Sequence, residues 1–322
     1  MDSDNADAGG LVGAVYNDSA ITNSYATGEV KSNGNNVGGL AGQLYGYIEN
    51  SYAEGDVVGS YHIGGLVGNT REGIIKNSYA TGNSEGDYNI GGLVGENTDG
   101  IIETSFATGN VKVEGIYIEE GDFYLANAGG LVGQNHSEIS SCYSTGDVSN
   151  AENDGGVNLG GLVGSNREPG IITESFASGK VESNYSGGQA GGLVGANYYI
   201  IRNSYASGDV YGIAGDVGGL IGTNHEYEEV INTFSNGEVI IDGAEGGGLV
   251  GRSTDTDSTI NSYWDINTSD YDHSAGGEGR TTEQMQAGTA NDQINGENIY
   301  EDWDDGIWDF GTDNEYPGFH WE

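Results

Sequence analysis

One recurring position in the sequence carries most of the side chains that could bind a ligand. It lies three residues after a short glycine-rich phrase, and its nine occupants are Tyr16, Tyr45, Arg71, Thr98, His136, Arg167, Tyr198, His225 and Thr254. Aromatic rings and guanidinium groups can stack on sugar rings, and Arg, His and Tyr can hydrogen-bond sugar hydroxyls. An exposed line of these side chains would therefore bind carbohydrate. The alternative is a set of variable, solvated turn residues without a ligand.

The spacing of the histidines argues against a catalytic or metal-binding centre. His136 and His225 lie three repeats apart, and a stack with about 4.8 Å per layer separates them by about 14 Å, too far for one metal ion. His62, His273 and His320 are dispersed, and no His-Glu-x-x-His phrase occurs. No repeated position pairs two carboxylates as glycoside hydrolysis requires. We therefore predict no enzymatic activity, cofactor or resident metal; a polysaccharide-acting enzyme is the less favoured alternative.

Acidic loops are a weaker candidate for binding a cation. Glu119, Glu120 and Asp122 lie in the longest insertion, at residues 110–128, and could take Ca²⁺ loosely. The Gly-Gly-x-Gly-x-Asp repeat of calcium-binding β-helices is absent. We expect these acids to form a solvated charged face.

The elements that position the candidate column come from a repeat. Gly-Gly-Leu-Val-Gly, or a one-residue variant, occurs nine times, and its leucines lie 26 to 38 residues apart. A variant of Asn-Ser-Tyr-Ala-Thr-Gly follows each copy. A period in this range is typical of stacked units, each of which covers the apolar face of its neighbour.

Each repeat offers three short β-prone runs separated by Gly, Asn, Asp or Ser, which favours strands over helices. Three strands and three corners in about 27 residues predict an all-β, parallel, right-handed β-helix of nine coils. A β-propeller is the structural alternative, but its blades need about 40 residues each.

Two further columns are expected to be structural. Asn97, Asn135, Asn166, Asn197 and Asn224 fall at one offset after the glycine phrase and predict buried, stacked amides. An aromatic follows the Asn-Ser pair in every repeat, and its spacing from the preceding β-branched residue predicts that it faces the core. Glu174 at the intervening Asn position favours the alternative, a corner that interrupts the strand alternation. Cys142 stands where other repeats have Ser, which predicts a small packed side chain without a disulfide partner.

The two phrases together resemble the GLUG-motif repeat. Gly-Gly-Leu-Val-Gly is paired with Asn-Ser-Tyr-Ala-Thr-Gly, and Val follows the second turn in most copies, over about residues 9–263. The resemblance implies a repetitive stalk or surface module of the kind found in adhesin-like chains of bacteria and archaea. Some immunoglobulin-cleaving metallopeptidases carry this repeat, but their activity resides in a separate domain. The resemblance therefore implies no catalysis here.

The charge balance indicates a salty environment. Fifty Asp and Glu against nine Lys and Arg give a formal net charge of −41 on 322 residues. Such self-repulsion destabilises a compact state, and molar salt shortens the screening length to about 3 Å. We therefore expect a haloarchaeal or other salt-adapted origin. Disorder is the alternative for a polar, charged chain, but nine copies of a patterned apolar unit argue against it.

The same charge excludes two classes of partner. Nucleic-acid binding requires a basic surface, which this chain lacks. Anionic membranes would repel the chain, and no apolar run is long enough to insert across a bilayer. Residues 1–10 lack the apolar stretch of a signal peptide. The chain is therefore either cytoplasmic or a mature form without its leader, and we expect the second, an extracellular or cell-surface protein.

The last 59 residues depart from the repeat and contain all four tryptophans. A terminal coil exposes an apolar end and an unpaired strand edge. We therefore expect residues 264–322 to form an irregular, Trp-rich cap on a β-helix of residues 1–263, with a short helix at Thr281–Ala287. Only eight residues precede the first Gly-Gly, too few for a cap, so either a preceding domain has been left out or the N-terminal coil is open to a second copy.

The sequence thus predicts a non-enzymatic, extracellular, structural or adhesive module. It would act as a filament or surface-layer-associated subunit that assembles end to end through the open coil. The alternative is an adhesin module that binds carbohydrate or another cell-surface ligand through the column from Tyr16 to His225, or through the loop at 110–128.

Overall fold

The chain folds as a parallel β-solenoid. The computed structural model describes residues 6–115, 125–151, 156–184, 187–213, 215–225, 229–243, 245–286, 299–311 and 314–322. The coils build four parallel sheets, and the described residues contain only two short α-helices, which confirms the predicted all-β parallel solenoid. The sequence predicts three strands per coil, whereas each coil contributes strands to four sheets. The difference arises because a bend, as at Gly65–Leu66, divides one predicted strand into two.

Sheets 1 and 2 lie before and after this bend. Sheet 1 consists of Ala8–Gly9, Val37–Gly38, Tyr61–Gly64, Tyr88–Gly91, Ala126–Gly129, Val157–Gly160, Gly188–Gly191, Gly215–Gly218 and Glu245–Gly247. Sheet 2 consists of Val12–Val15, Ala41–Leu44, Val67–Arg71, Val94–Thr98, Val132–Asn135, Val163–Asn166, Val194–Asn197, Ile221–Asn224 and Val250–Ser253. Equivalent residues of successive repeats pair in register, as Val67 does with Val94.

Sheets 3 and 4 complete each coil. Sheet 3 consists of Ala20–Thr22, Tyr25–Ala26, Tyr47–Glu49, Tyr52–Ala53, Ile74–Lys76, Tyr79–Ala80, Ile101–Glu103, Phe106–Ala107, Glu138–Ser140, Tyr143–Ser144, Ile171–Thr173, Phe176–Ala177, Ile200–Ala206, Val230–Ser235, Thr259–Ile260, Tyr263–Asp265 and Glu278–Arg280. Sheet 4 consists of Val30–Lys31, Val57–Val58, Ser84–Gly86, Val111–Val113, Val148–Asn150, Val181–Ser183, Val210–Gly212 and Val239–Ile241.

The predicted count of nine coils is too high. Sheets 1 and 2 contain nine strands each, whereas sheet 4 contains eight, so the described solenoid has about eight full turns. The ninth repeat leaves the pattern at Asp265, whose side chain accepts hydrogen bonds from the backbone N–H groups of Asn267 and Thr268. This N-cap starts the helix Ile266–Ser269 in place of a strand of sheet 4.

The glycine phrase lets the backbones of neighbouring sheets touch. A Cβ added at Gly133 in sheet 2 would lie 2.6 Å from the backbone nitrogen of Ile90 in sheet 1. A Cβ at Gly161 would lie 2.9 Å from Ala177 Cβ in sheet 3. Both positions need glycine for space and not for an unusual backbone angle, because any side chain would overlap its neighbours. The phrase is therefore a packing motif.

Two apolar cores run along the solenoid, one on each side of the contact between sheets 1 and 2. The first lies between sheets 2 and 3 and contains the Leu of each phrase, such as Leu93, together with Val94 and Ile102. The second lies between sheets 1 and 4 and contains Ile90 and Val111. Equivalent residues of each coil stack on those of the next, so every coil extends both cores.

The predicted asparagine ladder is confirmed. Asn Nδ2 donates to the Asn Oδ1 of the next coil at 2.8–2.9 Å, and the members in order are Asn97, Asn135, Asn166, Asn197 and Asn224. All are fully buried. The first four also donate to a carbonyl of their own turn, so the ladder joins successive coils and satisfies the turn backbone at once.

The aromatic column lies on the outer face of sheet 3, so the prediction that it faces the core is wrong. The residue at the Asn position of the second phrase has a φ between 44° and 54° in every repeat, even where it is Glu174. This left-handed corner interrupts strand alternation. The following residue, such as Ser78, turns inward, and the aromatic after it turns outward. From Tyr25 to Phe234 the rings stack at 4.8–5.2 Å between centroids.

Residues 264–280 cover the end of the solenoid. Glu278–Arg280 pairs in parallel with Tyr263–Asp265 and adds one strand to sheet 3. Trp264 is only 5% exposed, packs against the first core, and donates from Nε1 to the carbonyl of Tyr271 at 3.0 Å. A large ring therefore closes the apolar end where other repeats have Ala or Ser.

Three short elements lie near this end. The 3-10 helix Thr256–Ser258 precedes the cap, and Trp308–Asp309 pairs antiparallel with Gly318–Phe319. The predicted helix is confirmed as Thr282–Met285, and Thr281 is its N-cap in a capping box with Gln284. Ala287, at the end of the predicted helix, lies outside the described residues.

Residues 299–311 and 314–322 cover the side of the last coils. They pack on the outer face of sheet 3, where Trp308 and Phe319 contact Tyr205, and Trp303 contacts Phe234. Trp303 Nε1 also donates to a backbone carbonyl of the ninth repeat at 3.0 Å. The upper end of the aromatic column is thereby buried, and Phe234 is only 1% exposed.

The glycine contact predicts a position-specific cost for adding one methyl group. Gly133→Ala should lower the free energy of unfolding by about 1–3 kcal/mol, because its Cβ would overlap backbone atoms of sheet 1. Gly28→Ala is the matched control, since no atom lies within 4 Å of its Cβ position, and it should stay within about 0.5 kcal/mol of the parent. Urea unfolding of both variants measures the difference. Equal costs would contradict the packing role of the phrase.

The half-covered aromatic column predicts two different costs for the same substitution. Phe234→Ala should cost about 3–5 kcal/mol because the ring is buried under residues 299–322. Phe106→Ala should cost roughly 1–2 kcal/mol, since that ring keeps an edge in water. Urea unfolding in the same buffer compares them. A cost at Phe106 as large as that at Phe234 would place the column in the core after all.

Candidate ligand-binding surface

The nine residues of the candidate column form one line along the outside of sheet 2, here called the stripe. Each follows the ladder position directly and points to the opposite side. Backbone N–H groups along the line, such as those of Arg167 and Tyr198, donate to the carbonyl of the ladder Asn one coil earlier. Tyr16, Arg71 and Thr254 are exposed, and the others are half-buried. The line exists as a surface, and its role in binding stays a prediction.

Three members of the stripe form a continuous stack. The guanidinium carbon of Arg167 lies 4.4 Å from the ring centroid of Tyr198. Tyr198 in turn stacks on His225 with 3.8 Å between centroids and 12° between planes. Arg167 Nε donates to Ser165 Oγ at 3.1 Å, which fixes the direction of the guanidinium. Successive coils thus hold a cation, a phenol and an imidazole in one fixed column.

The other members of the stripe lie in smaller groups. Tyr16 and Tyr45 stack at 6.1 Å with 9° between planes. His136 Nε2 lies 2.6 Å from Gln134 Nε2, an amide on the neighbouring column of the same sheet. Arg71 pairs in register with Thr98, which interrupts the line of large side chains. The structure therefore assembles a pair and a triple and leaves Arg71 and His136 apart from both.

This stacking limits how the stripe can contact a sugar. Where Tyr198 lies between Arg167 and His225, both of its faces are occupied. A pyranose cannot stack on such a ring, so contacts to this part of the stripe fall to ring edges and to polar atoms such as the phenol hydroxyl and the guanidinium nitrogens of Arg167. The geometry suits hydrogen bonding to hydroxyls or to an anionic group better than ring stacking.

A polar seam that the sequence analysis missed lies beside the stripe, where sheets 1 and 2 meet. The Glu96 carboxylate in sheet 2 accepts from Asn69 Nδ2 at 2.8 Å and lies 3.1 Å from His62 Nδ1 in sheet 1. Asn127 Nδ2 donates to Gln134 Oε1 at 2.9 Å across the same boundary. Side chains of both sheets therefore join in one hydrogen-bonded network, which holds the outer rim of the glycine contact.

The seam continues to the last coils and reaches the stripe there. Asp216 in sheet 1 accepts from Thr223 Oγ1 at 2.8 Å and lies 3.7 Å from a guanidinium nitrogen of Arg252. Among the described residues, no group hydrogen-bonds His225 Nε2, although that atom is buried. Burial lowers the pKa of His225, and the nearby Arg167 and Arg252 lower it further, against the opposing effect of Asp216. The imidazole is therefore neutral near pH 7.

The same reasoning applies at the other end of the seam. Burial lowers the pKa of His62, and Arg71 adds to this, while Glu96 opposes it. His62 is therefore a neutral hydrogen-bonding group near pH 7, and its contact with Glu96 is not an ion pair there.

A sequence signal for the seam does exist. The residue two before each Gly-Gly is polar in all nine repeats, and these residues are Asp7, Asn36, His62, Asn89, Asn127, Asn158, Gln189, Asp216 and Glu245. The signal was not decisive because its partners lie on the far side of the same glycine phrase, one residue after its closing glycine and seven residues along the chain. Only the contact between sheets 1 and 2 brings the two positions together.

Cys142 is structural, as predicted. It is fully buried, and its backbone N–H donates to Ser175 Oγ of the next coil at 3.1 Å. Burial raises the pKa of its thiol to about 12, so the nucleophilic thiolate is absent at neutral pH.

The described residues offer neither a metal centre nor a membrane-spanning helix. No group of three or more His, Cys, Asp or Glu side chains there is arranged to hold a metal ion. Glu119, Glu120 and Asp122, the candidate calcium loop, lie outside the described residues. In the part of the chain that the structure describes, no helix has both the length and the apolar character needed to cross a membrane.

Comparison with known proteins identifies the repeat. Six segments match the GLUG motif, at residues 4–31, 33–58, 59–84, 86–112, 124–149 and 186–211. No curated protein and no solved structure matches the chain. A β-solenoid of such repeats fits a structural or adhesin-like repeat protein. With these six motifs continued in register by the coils between and after them, the chain belongs to the GLUG-motif repeat proteins.

Proposed function

We propose that the chain is a non-enzymatic, extracellular module of a salt-adapted microbe that serves as a structural and adhesive rod. The observation that carries the proposal is the unbroken register of the repeats through all four sheets. Such a stack holds its outer side chains at fixed spacing and needs no moving part. Its mechanism is the passive display of its surface, and the charged exterior keeps it apart from other anionic surfaces.

Salt adaptation is supported by how acids are placed on the surface. Cations are few, and those described are mostly paired, as Lys76 is with Glu103 at 2.9 Å. Elsewhere acids face each other, and burial together with the nearby Glu114 raises the pKa of Glu85. A raised carboxyl pKa means that folding disfavours the ionised form, so this charge destabilises the rod at neutral pH. Salt offsets such repulsion by screening.

End-to-end joining is supported by the first described coil. Leu11 is 52% exposed and Tyr25 is 61% exposed, and both belong to columns that later coils bury or half-bury. At the far end Glu278–Arg280 covers the last strand of sheet 3. A second copy would therefore join at the first coil, and longer filaments would require a contact on the covered end as well.

Carbohydrate binding by the stripe is the second candidate function. The observation that favours it is the stack of Arg167, Tyr198 and His225, whose donors are held in fixed positions without a ligand. Preorganised donors lose little conformational freedom on binding. The partner would be a cell-surface glycan or another ligand that presents hydroxyl or anionic groups.

Electron microscopy of the purified chain in about 3 M NaCl tests the assembly. A single solenoid of about eight turns is about 40 Å long, and joining at the first coil predicts rods of twice that length. Leu11→Lys is expected to return the particles to single length by placing a charge on the exposed end. Single rods for both proteins would contradict self-assembly. The same single rods binding to a glycan array would favour the carbohydrate-binding role.

Thermal unfolding at different salt concentrations tests the adaptation. Raising NaCl from about 0.01 M to about 1 M shortens the screening length from about 30 Å to about 3 Å. We expect the midpoint to rise by at least about 5 °C, equivalent to roughly 3 kcal/mol for a chain of this length, because the repulsion among acids is screened. Sucrose is the control, since it favours compact states without screening charge. A midpoint that responds to sucrose but not to NaCl would contradict the proposal.

A further inference from the structure

The aromatic column on sheet 3 is covered along one half and open along the other. Residues 299–311 and 314–322 pack over its last rings, so that Tyr205 and Phe234 are 8% and 1% exposed. The rings of the first four coils, Tyr25, Tyr52, Tyr79 and Phe106, are partly or largely exposed. The aromatic column therefore has a covered half, which the chain's own C-terminal segment occupies, and an open half.

The covered half shows which chemistry this surface accepts. Because the rings stack face to face along the rod, only their edges point outward. Ring edges carry positive partial charge and pack best against the negative faces of other rings. Trp308 lies over Tyr205 and Phe234 at angles of 43° and 48°, and Phe319 lies over Tyr205 at 43°. The outward ring edges of the column are thus contacted by aromatic side chains of the chain's own C-terminal segment.

The boundary between the two halves is a ledge with room for another ring. Trp321 is 37% exposed and stacks on Phe319 at 5.3 Å with 12° between planes. Beside it lies a cavity of about 440 Å³ whose lining includes Phe106, Tyr143 and the carboxylate of Glu322. The aromatic interface therefore continues past the last ring of the covering segment into open space.

We propose that the open half of the column, from Tyr25 to Phe106, together with the ledge at Trp321, docks a second polypeptide that presents aromatic side chains. The partner would extend the interface that residues 299–322 already make, with its rings on the outward edges of the column. A glycan is disfavoured here because the ring faces on which a sugar would stack are occupied by neighbouring rings. The surface belongs to sheet 3, apart from the stripe on sheet 2, and it shares Tyr25 with the exposed first coil.

A labelled peptide tests the proposal on the full-length chain. The probe is a synthetic peptide with the sequence of residues 299–322, carrying a fluorophore and titrated with the protein in about 3 M NaCl, where charge repulsion is screened. Fluorescence anisotropy should show saturable binding. A peptide with Trp303, Trp308 and Trp321 replaced by Ala should bind at least about tenfold more weakly, since aromatic anchors dominate such contacts. This comparison leaves the protein unchanged.

Variants of the protein locate the bound peptide. The double variant Tyr52→Ala/Tyr79→Ala should weaken binding by at least about tenfold. Tyr61→Ala is the matched control, because it removes an exposed tyrosine that stacks on Tyr88 at 4.9 Å on sheet 1, and binding should stay within about twofold of the parent. Thermal melts in the same salt confirm that each variant is folded.

Three outcomes would overturn the proposal. Absence of binding, or equal binding of the Trp-free peptide, would show that the column does not bind a polypeptide through aromatic side chains. Equal peptide affinity of the parent and the Tyr52→Ala/Tyr79→Ala variant would show that the probe only displaces the chain's own segment from the last coils. Displacement of the bound peptide by a neutral oligosaccharide, such as a glucan or chitin hexamer, would assign the open column to carbohydrate instead.

Discussion

The structure depends on the backbone contact between sheets 1 and 2. Two extended backbones lie so close together that no side chain fits between them, as at Gly133 against Ile90. This contact divides the cross-section into two thin cores in place of one wide core, so small residues and short strands are enough to fill each. It also brings the polar positions of both sheets together at its rim, where the seam forms. The recurring glycines are thus needed for packing, and every other column of the repeat takes its position from them.

The features that could be predicted are those that depend on repetition alone. Residues at a fixed offset after the glycine phrase stack on one another for any cross-sectional shape of the coil. The period alone therefore predicts that Asn97 stacks on Asn135. The short helix at Thr282–Met285 was predictable because its capping box is local in sequence. The features that could not be predicted depend on the shape of the coil. The left-handed corner at positions such as Asn77 reverses which residues face inward, and Glu174 adopts it as readily as Asn does.

The candidate surface was predicted in part for the same reason. The stripe is a true line because its members share one offset, but the stack of Arg167, Tyr198 and His225 depends on side-chain directions that no offset encodes. The seam joins two positions on opposite sides of one glycine phrase, which only the bend within the phrase brings together, and the aromatic column becomes buried where the C-terminal segment lies over it. In this solenoid the buried columns repeat nearly the same residue, whereas the stripe varies from coil to coil. The interior therefore specifies the rod, and the variation on its surface gives each layer its own chemistry.

The position of the C-terminal segment has a mechanical consequence. Among the described residues, coils near the first repeat contact only their nearest neighbours, whereas residues 299–311 and 314–322 contact the side of the stack from Tyr143 to Tyr263 and so bind several coils to one another. When the rod is pulled from its first coil, the early coils can peel away one at a time. The last coils resist together, because the C-terminal segment must detach from sheet 3 before any of them can separate. A rod built in this way would extend more easily at its first coils than at its last.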